Sequence, residues 1–260
     1  VFIRILIDSY RFFDRRWQLI VAAALVSLGL IECIVLAVHY AIPDPAVILK
    51  DNDGNAVPIG YDDLLESFLM LMSKIWFDGF IAFLLKFELE GIPVQLKHTV
   101  LRSIAIYPRI LLISLCAQLL IVPSVIAAIL IIPSDPSGIL SLIPLITAII
   151  LFVWFSLVIP VAVIDKTVKV ISALRRSRYL VQKYFFMIAA IILLSSLPSL
   201  AMIDISDDSL YAHLVAVLLY FATMIMGSLV TLFAYMHLRI VKGEAIVEET
   251  RAAADDNSQQ

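Results

Sequence analysis

Six continuous apolar stretches, each about as long as a bilayer is thick, constrain this chain more than anything else in it. They run over about 17–39, 64–86, 110–132, 140–164, 184–203 and 211–237. A helix needs roughly 20 apolar residues to cross a hydrocarbon core of about 30 Å. The runs are unbroken rather than alternating, so they predict helices that satisfy their own backbone hydrogen bonds, not barrel strands. Composition agrees, with 62% of the 260 residues hydrophobic and 16% charged. A soluble domain carries about 25% charged residues. The predicted fold class is therefore all-α: a polytopic membrane helix bundle of six transmembrane spans, forming a single domain over 1–242.

Orientation follows from lysine and arginine. Arg4, Arg11, Arg15 and Arg16 precede the first run. Lys86, Lys97, Arg102 and Arg109 lie between the second and third, and Lys166, Lys169, Arg175, Arg176, Arg178 and Lys183 between the fourth and fifth. Arg239, Lys242 and Arg251 follow the sixth. The opposite loops hold Lys50 alone, beside Asp44, Asp51, Asp53, Asp62, Asp63, Asp135, Asp204, Asp207 and Asp208. The positive-inside rule then places both termini in the cytoplasm of a cell bounded by this membrane. The first run is too long for a signal h-region and no small-x-small site follows it, so it reads as a retained span. Leu30-Ile31-Glu32-Cys33 resembles a lipobox, but the glutamate breaks it.

Outside the spans, loop 40–63 predicts a hairpin, with Ala46-Val47-Ile48-Leu49 and Ala56-Val57-Pro58-Ile59 flanking an Asp53-Gly54 turn. Its aspartates do not follow calcium-loop spacing, because the glycine comes too early. The tail, 243–260, is polar, acidic and low in apolar residues, which predicts a disordered cytoplasmic segment.

Three basic segments share a design. In 3–16, Ile3, Leu6, Ile7, Tyr10 and Phe13 occupy one helical face, opposite Arg4, Asp8, Arg11 and Arg15. In 94–107, Leu96, Val100, Leu101 and Ile104 oppose Gln95, His98 and Arg102. In 168–183, Val170, Ile171, Leu174 and Leu180 oppose Lys169, Arg175, Arg176 and Gln182. Each runs into a span through a basic–aromatic junction: Arg15-Arg16-Trp17, Tyr107-Pro108-Arg109 and Lys183-Tyr184. Amphipathic helices of this kind lie in the membrane plane, with cations toward anionic headgroups. The reading is three repeats of an in-plane cytoplasmic helix plus two spans. Its headgroup contacts are Arg11, Arg15, Arg16, Lys97, Arg102, Arg109, Arg175, Arg176, Arg178 and Lys183. Each basic cluster is interrupted by an apolar face and adjoins a span, so the partner is the bilayer rather than nucleic acid.

The stretch Leu157-Val158-Ile159-Pro160-Val161-Ala162-Val163-Ile164-Asp165, followed by Ile171-Ser172-Ala173-Leu174-Arg175-Arg176-Ser177-Arg178-Tyr179-Leu180-Val181, resembles the YciC-like family of uncharacterised bacterial inner-membrane proteins. It is also similar to the membrane domain attached to some glycerophosphodiester phosphodiesterases. Those families show a proline-containing fourth span ending in Val-x-Asp, then an Ala-Leu-x-x-Ser-like amphipathic helix and a further span. Residues 96–119 match the preceding basic helix and third span more loosely. The resemblance implies a six-span protein of the bacterial inner membrane without a settled activity, and it carries no phosphodiesterase chemistry over.

Ionisable residues inside a bilayer are costly and mark candidate sites. Glu32, Lys74 and Asp78 are such residues. Lys74 and Asp78 are four apart and share a face. Glu32 and Lys74 differ in depth by roughly 6 Å at about 1.5 Å per residue, within reach of a lysine. Three arrangements fit: a polar lining for an ion, proton or lipid-headgroup path; a self-neutralised cluster locking spans one and two; or a tilted second span partly in water. The four histidines (His39, His98, His213, His237) lie on opposite sides and form no metal-ligand set. Cys33 and Cys116 form no CxxC, and GxSxG, P-loop, GxGxxG and HExxH motifs are absent from 1–260. No cofactor, metal or catalytic residue is called, and the chain reads as a non-enzyme. Pro123, Pro160 and Pro198 can break spans three, four and five, with Ser195, Ser196 and Ser199 satisfying freed backbone groups. Three functions remain: organising, sensing or moving lipid or amphiphiles; a small secondary transporter or channel with Glu32, Lys74 and Asp78 on its path; or a structural or assembly subunit of a membrane-protein complex.

Overall fold

A computed structural model describes residues 2–41, 47–50, 56–59, 61–94, 96–131, 139–165, 169–197 and 210–243. Its helices are α1 (Phe2–Ala41), α2 (Tyr61–Leu89), α3 (Leu96–Ile131), α4 (Ile139–Phe155), α5 (Val158–Ile164), α6 (Val170–Gln182), α7 (Phe185–Ser195) and α8 (Leu210–Val241). Strands β1 (Val47–Lys50) and β2 (Ala56–Ile59) pair antiparallel between α1 and α2, with Val47 opposite Ile59 and Lys50 opposite Ala56. The Asp53-Gly54 turn and the tail 244–260 lie outside the described residues.

Among the described residues, four helical stretches are long and apolar enough to cross a membrane: Phe68–Leu89, Lys97–Ile131, Leu140–Ile164 and Leu218–Val241. Together α6 and α7 pass the same test, which makes up to five, but they meet at 99°. The first expected span falls in α1, where several side chains beyond residue 27 lie outside the described set.

The bundle is built for lipid. Among the described residues, Leu119, Leu130, Ile143 and Phe186 are exposed at 70%, 71%, 64% and 86%. Buried positions include the small hydroxyl residues Ser9, Ser27, Thr99, Ser103, Ser114, Ser177 and Ser228. Helices in a bilayer gain nothing by hiding leucine, so close approach through small residues decides which face turns inward. In the start of α3, Leu101 and Ile104 face outward, as expected of the apolar side of a segment that meets lipid, while Thr99 and Ser103 are buried.

α2 is the central helix and packs on α1, α3, α5 and α8. From Ile75 to Phe87 it supplies much of the core, meeting Val158–Val163 of α5 and Met224–Leu238 of α8. Half of its most apolar window is buried, against 28% for Lys97–Ile131 and Leu140–Ile164. This is how the second run accommodates Asp78, whose side chain is 16% exposed and faces protein, while Lys74 beside it stays exposed.

The three basic segments do not behave alike. Residues 3–16 continue unbroken into α1, and 96–107 into α3. An in-plane helix set off from its span is therefore not what these two form. Nothing around Arg15-Arg16-Trp17 stops a helix, and α3 runs on through Pro108 and Pro123. At 40 residues α1 is roughly 60 Å long at about 1.5 Å per residue, about twice a bilayer core. Its start has three faces: Ile5, Ser9 and Phe12 pack inward, Ile3, Leu6, Ile7 and Tyr10 are exposed, and Arg4, Asp8, Arg11 and Arg15 form a charged third. Phe12 meets Phe233 of α8 edge-on, with ring centroids 5.6 Å apart.

Only between α6 and α7 does the chain turn, at Lys183 and Tyr184, where Tyr184 leaves the helical region at φ −118°, ψ 24°. No glycine or proline stands there. α6 is tied back to α4: the Ser177 hydroxyl donates to the Trp154 carbonyl at 2.7 Å, and Arg178 stacks over the Trp154 ring at 4.3 Å. At its end, Lys242 donates to the Tyr179 carbonyl.

Candidate functional site

Lys74 and Asp78 stand one turn apart on α2, and the lysine Nζ lies 2.8 Å from Asp78 Oδ2. The other carboxylate oxygen, Oδ1, accepts from the Ser228 hydroxyl of α8. Asp78 therefore has both oxygens engaged while its side chain is only 16% exposed, against 46% for Lys74. A buried carboxylate is held ionised only by such partners.

These groups line a partly open cavity of about 190 Å³ between α2, α3, α4, α5, α7 and α8. Ser114 and Gln118 enter it from α3, Ser156 from the α4–α5 turn, Ser195 and Ser196 from the end of α7, and Thr223 and Thr231 from α8. The remaining lining is apolar, including Phe152, Phe155, Ile159 and Ile192. Several hydroxyls are satisfied by their own helix: Ser156 donates to the Val153 carbonyl at 2.9 Å, Ser195 and Ser196 to Ile192 at 2.8 and 2.9 Å, and Thr223 to Leu219 at 2.8 Å.

The fourth span breaks at this cavity. Pro160 has no N–H and its ring crowds the carbonyl four residues back, which belongs to Ser156. The helix interrupts at Ser156-Leu157 and restarts as α5. Irregular backbone at membrane depth is tolerated where it lines a cavity. Pro198 lies outside the described residues.

A second constellation occupies the end of the bundle where the basic residues gather. Asp165, directly after α5, joins three elements. Its Oδ1 accepts from the Tyr235 hydroxyl at 2.9 Å and lies 3.2 Å from Arg239 Nη1. Its Oδ2 lies 3.2 Å from Arg176 Nε of α6. Lys86 of α2 donates to the Val163 carbonyl at 3.0 Å. Nearby, Glu88 binds Arg15 at 2.7 Å and Arg16 at 3.2 Å, tying α1 to α2.

Of the residues singled out by sequence, Lys74 and Asp78 come together, whereas the Glu32 side chain lies outside the described residues. The ten headgroup candidates divide. Arg11, Lys97, Arg109 and Arg175 are exposed. Arg15 and Arg16 engage Glu88, and Arg176 engages Asp165. Arg102, Arg178 and Lys183 lie over the rings of Phe87, Trp154 and Tyr184. Sequence reasoning missed Asp165, Tyr235 and Arg239 as a group, and Gln118 and Ser228 at the cavity. Among the described residues, no three histidine, cysteine or acidic side chains are grouped to hold a metal.

An apolar groove of about 420 Å³ also runs between α1, α2 and α3, lined by Ala22, Val26, Met72, Trp76, Ile104 and Tyr107 among others. Compared with protein-family models, curated proteins and solved structures, the chain finds no match.

Proposed function

We propose that this helical membrane protein is a small transporter or channel, with Lys74 and Asp78 on the path of a small polar solute. The observation that carries the reading is the polar cavity beside a broken helix. Ion pair, amide and hydroxyl groups converge on one space inside an otherwise apolar bundle. Transporters place binding sites where spanning helices are interrupted near the bilayer midplane. On this reading the chain has six spans in a bacterial inner membrane. The basic end and both termini then face the cytoplasm, as the lysine and arginine distribution supports.

Flux into proteoliposomes, measured for a panel of small ions and zwitterions, tests it. Wild-type protein should pass at least one solute above empty liposomes, and Lys74→Met and Asp78→Asn should each abolish that flux. Wild-type flux at the empty-liposome level for every solute would remove the reading.

A second, non-enzymatic reading is the organisation or movement of lipid or amphiphiles at the cytoplasmic leaflet. It is favoured by α6, which stands at 99° to α7 with Arg175 and Arg178 exposed, and by the apolar groove, which fits an acyl chain. Native mass spectrometry of the purified protein distinguishes it. Alanine at Arg175, Arg176 and Arg178 together should strip retained anionic lipid, and unchanged retention would sink the headgroup contact.

A further inference from the structure

The cavity and the Asp165 cluster lie on the same helices, and their order along those helices is informative. On α8, Thr223, Gly227 and Thr231 line the cavity; Tyr235 and Arg239 continue the same four-residue step toward the basic end, turning about 40° around the helix at each step. On α5, Val158 and Ile159 line it, and Asp165 stands just past the helix end. Any passage from the cavity to the basic end runs between α2, α5 and α8. In this structure that space is filled, since Leu84, Leu157, Val161 and Tyr235 are all essentially inaccessible.

We propose that Asp165 is the latch of a gate that closes the polar cavity toward the basic end. This rests on the reading of the cavity as a solute path. One carboxylate at the end of α5 holds α6 through Arg176 and α8 through Tyr235 and Arg239, so it ties α5 and α6 to α8 across the plug. Helix breaks bound the segment it holds, at Ser156-Leu157 before α5 and at Lys183-Tyr184 after α6. Breaks of this kind are where a hinge absorbs backbone rotation. Without the carboxylate, Arg176 and Arg239 face each other as like charges. The latched state then loses its attraction and gains repulsion. The plug itself is apolar side chains, and moving α5 and α6 away from α8 opens it.

The test is chemical access. In full-length protein with Cys33→Ala and Cys116→Ala, a reporter Thr231→Cys is placed in the cavity. A membrane-impermeant methanethiosulfonate is added to vesicles exposing the basic end. With Asp165 intact the reporter should react slowly, and Asp165→Ala should speed it by about tenfold, a modest shift of a two-state population. Arg176→Gln, which removes only the outermost arm, should speed it by a smaller factor and serves if Asp165→Ala does not fold. Equal rates in all three backgrounds, with a reactive reporter, would overturn the gate and leave the cavity reading standing. A reporter inert in every background, even to a small membrane-permeant thiol reagent, would overturn both.

Discussion

Asp78 and Asp165 are equally hidden, each with its side chain 16% exposed, yet they are held in opposite ways. The lysine of Asp78 sits four residues earlier on the same helix and remains 46% exposed; only Ser228 reaches it from elsewhere. That pair is local, electroneutral and half open to its cavity. Asp165 has no partner on its own helix. Its cations come from α6 and α8, and Arg239 is 7% exposed. The first carboxylate depends on α2 alone for its counter-charge. The second meets its counter-charges only once three elements have assembled, and it is outnumbered by the two guanidiniums it holds. The lesson is that burial alone does not say what a carboxylate contributes; the origin of its partners does.

The contrast is open to test. Asp165→Ala should be the most damaging change, costing about 3–5 kcal/mol because it removes the carboxylate paired with the buried Arg239 guanidinium, as read by unfolding in a denaturing-detergent titration. A loss no greater than that of Asp78→Ala would break the comparison. Asp78→Ala itself should cost about 1–3 kcal/mol, since the lysine left behind reaches solvent. Pairing it with Lys74→Met should return most of that loss, because an apolar pair can replace an ionic one with little penalty. Ser228→Ala should cost about 1 kcal/mol, the net worth of a typical hydrogen bond, because its single hydroxyl proton is shared between Asp78 and the Met224 carbonyl. Smallest of all, Glu88→Gln should cost less than about 1 kcal/mol and fade with added salt, because Arg15 is 62% exposed.

Much of the helical layout was legible because hydropathy acts over whole turns. The second run read as the weakest span for its two charges, and the structure makes it the most buried of the four. Single-residue facing was less legible. Leu101 and Ile104 turn outward, as an apolar face meant for lipid would, but Val100, read on that same face, packs against the core, and the inward side is marked by Thr99 and Ser103. Two breaks were legible. Pro160 interrupts its helix through the carbonyl four residues back, and the turn at Lys183-Tyr184 falls where the third basic–aromatic junction placed the boundary between amphipathic helix and apolar run. The Asp165 cluster was invisible because its partners are remote in sequence, with Tyr235 lying 70 residues away.

The hydroxyl groups around the cavity carry a further consequence. Ser156, Ser195, Ser196 and Thr223 each already donate to a carbonyl of their own helix. A polar guest would not find vacant donors waiting for it. It would exchange one hydrogen bond for another of similar strength, so occupancy and emptiness stay close in free energy. Such a lining favours brief residence over tight retention. That is the balance a conduit requires, since a bound species must also be able to leave.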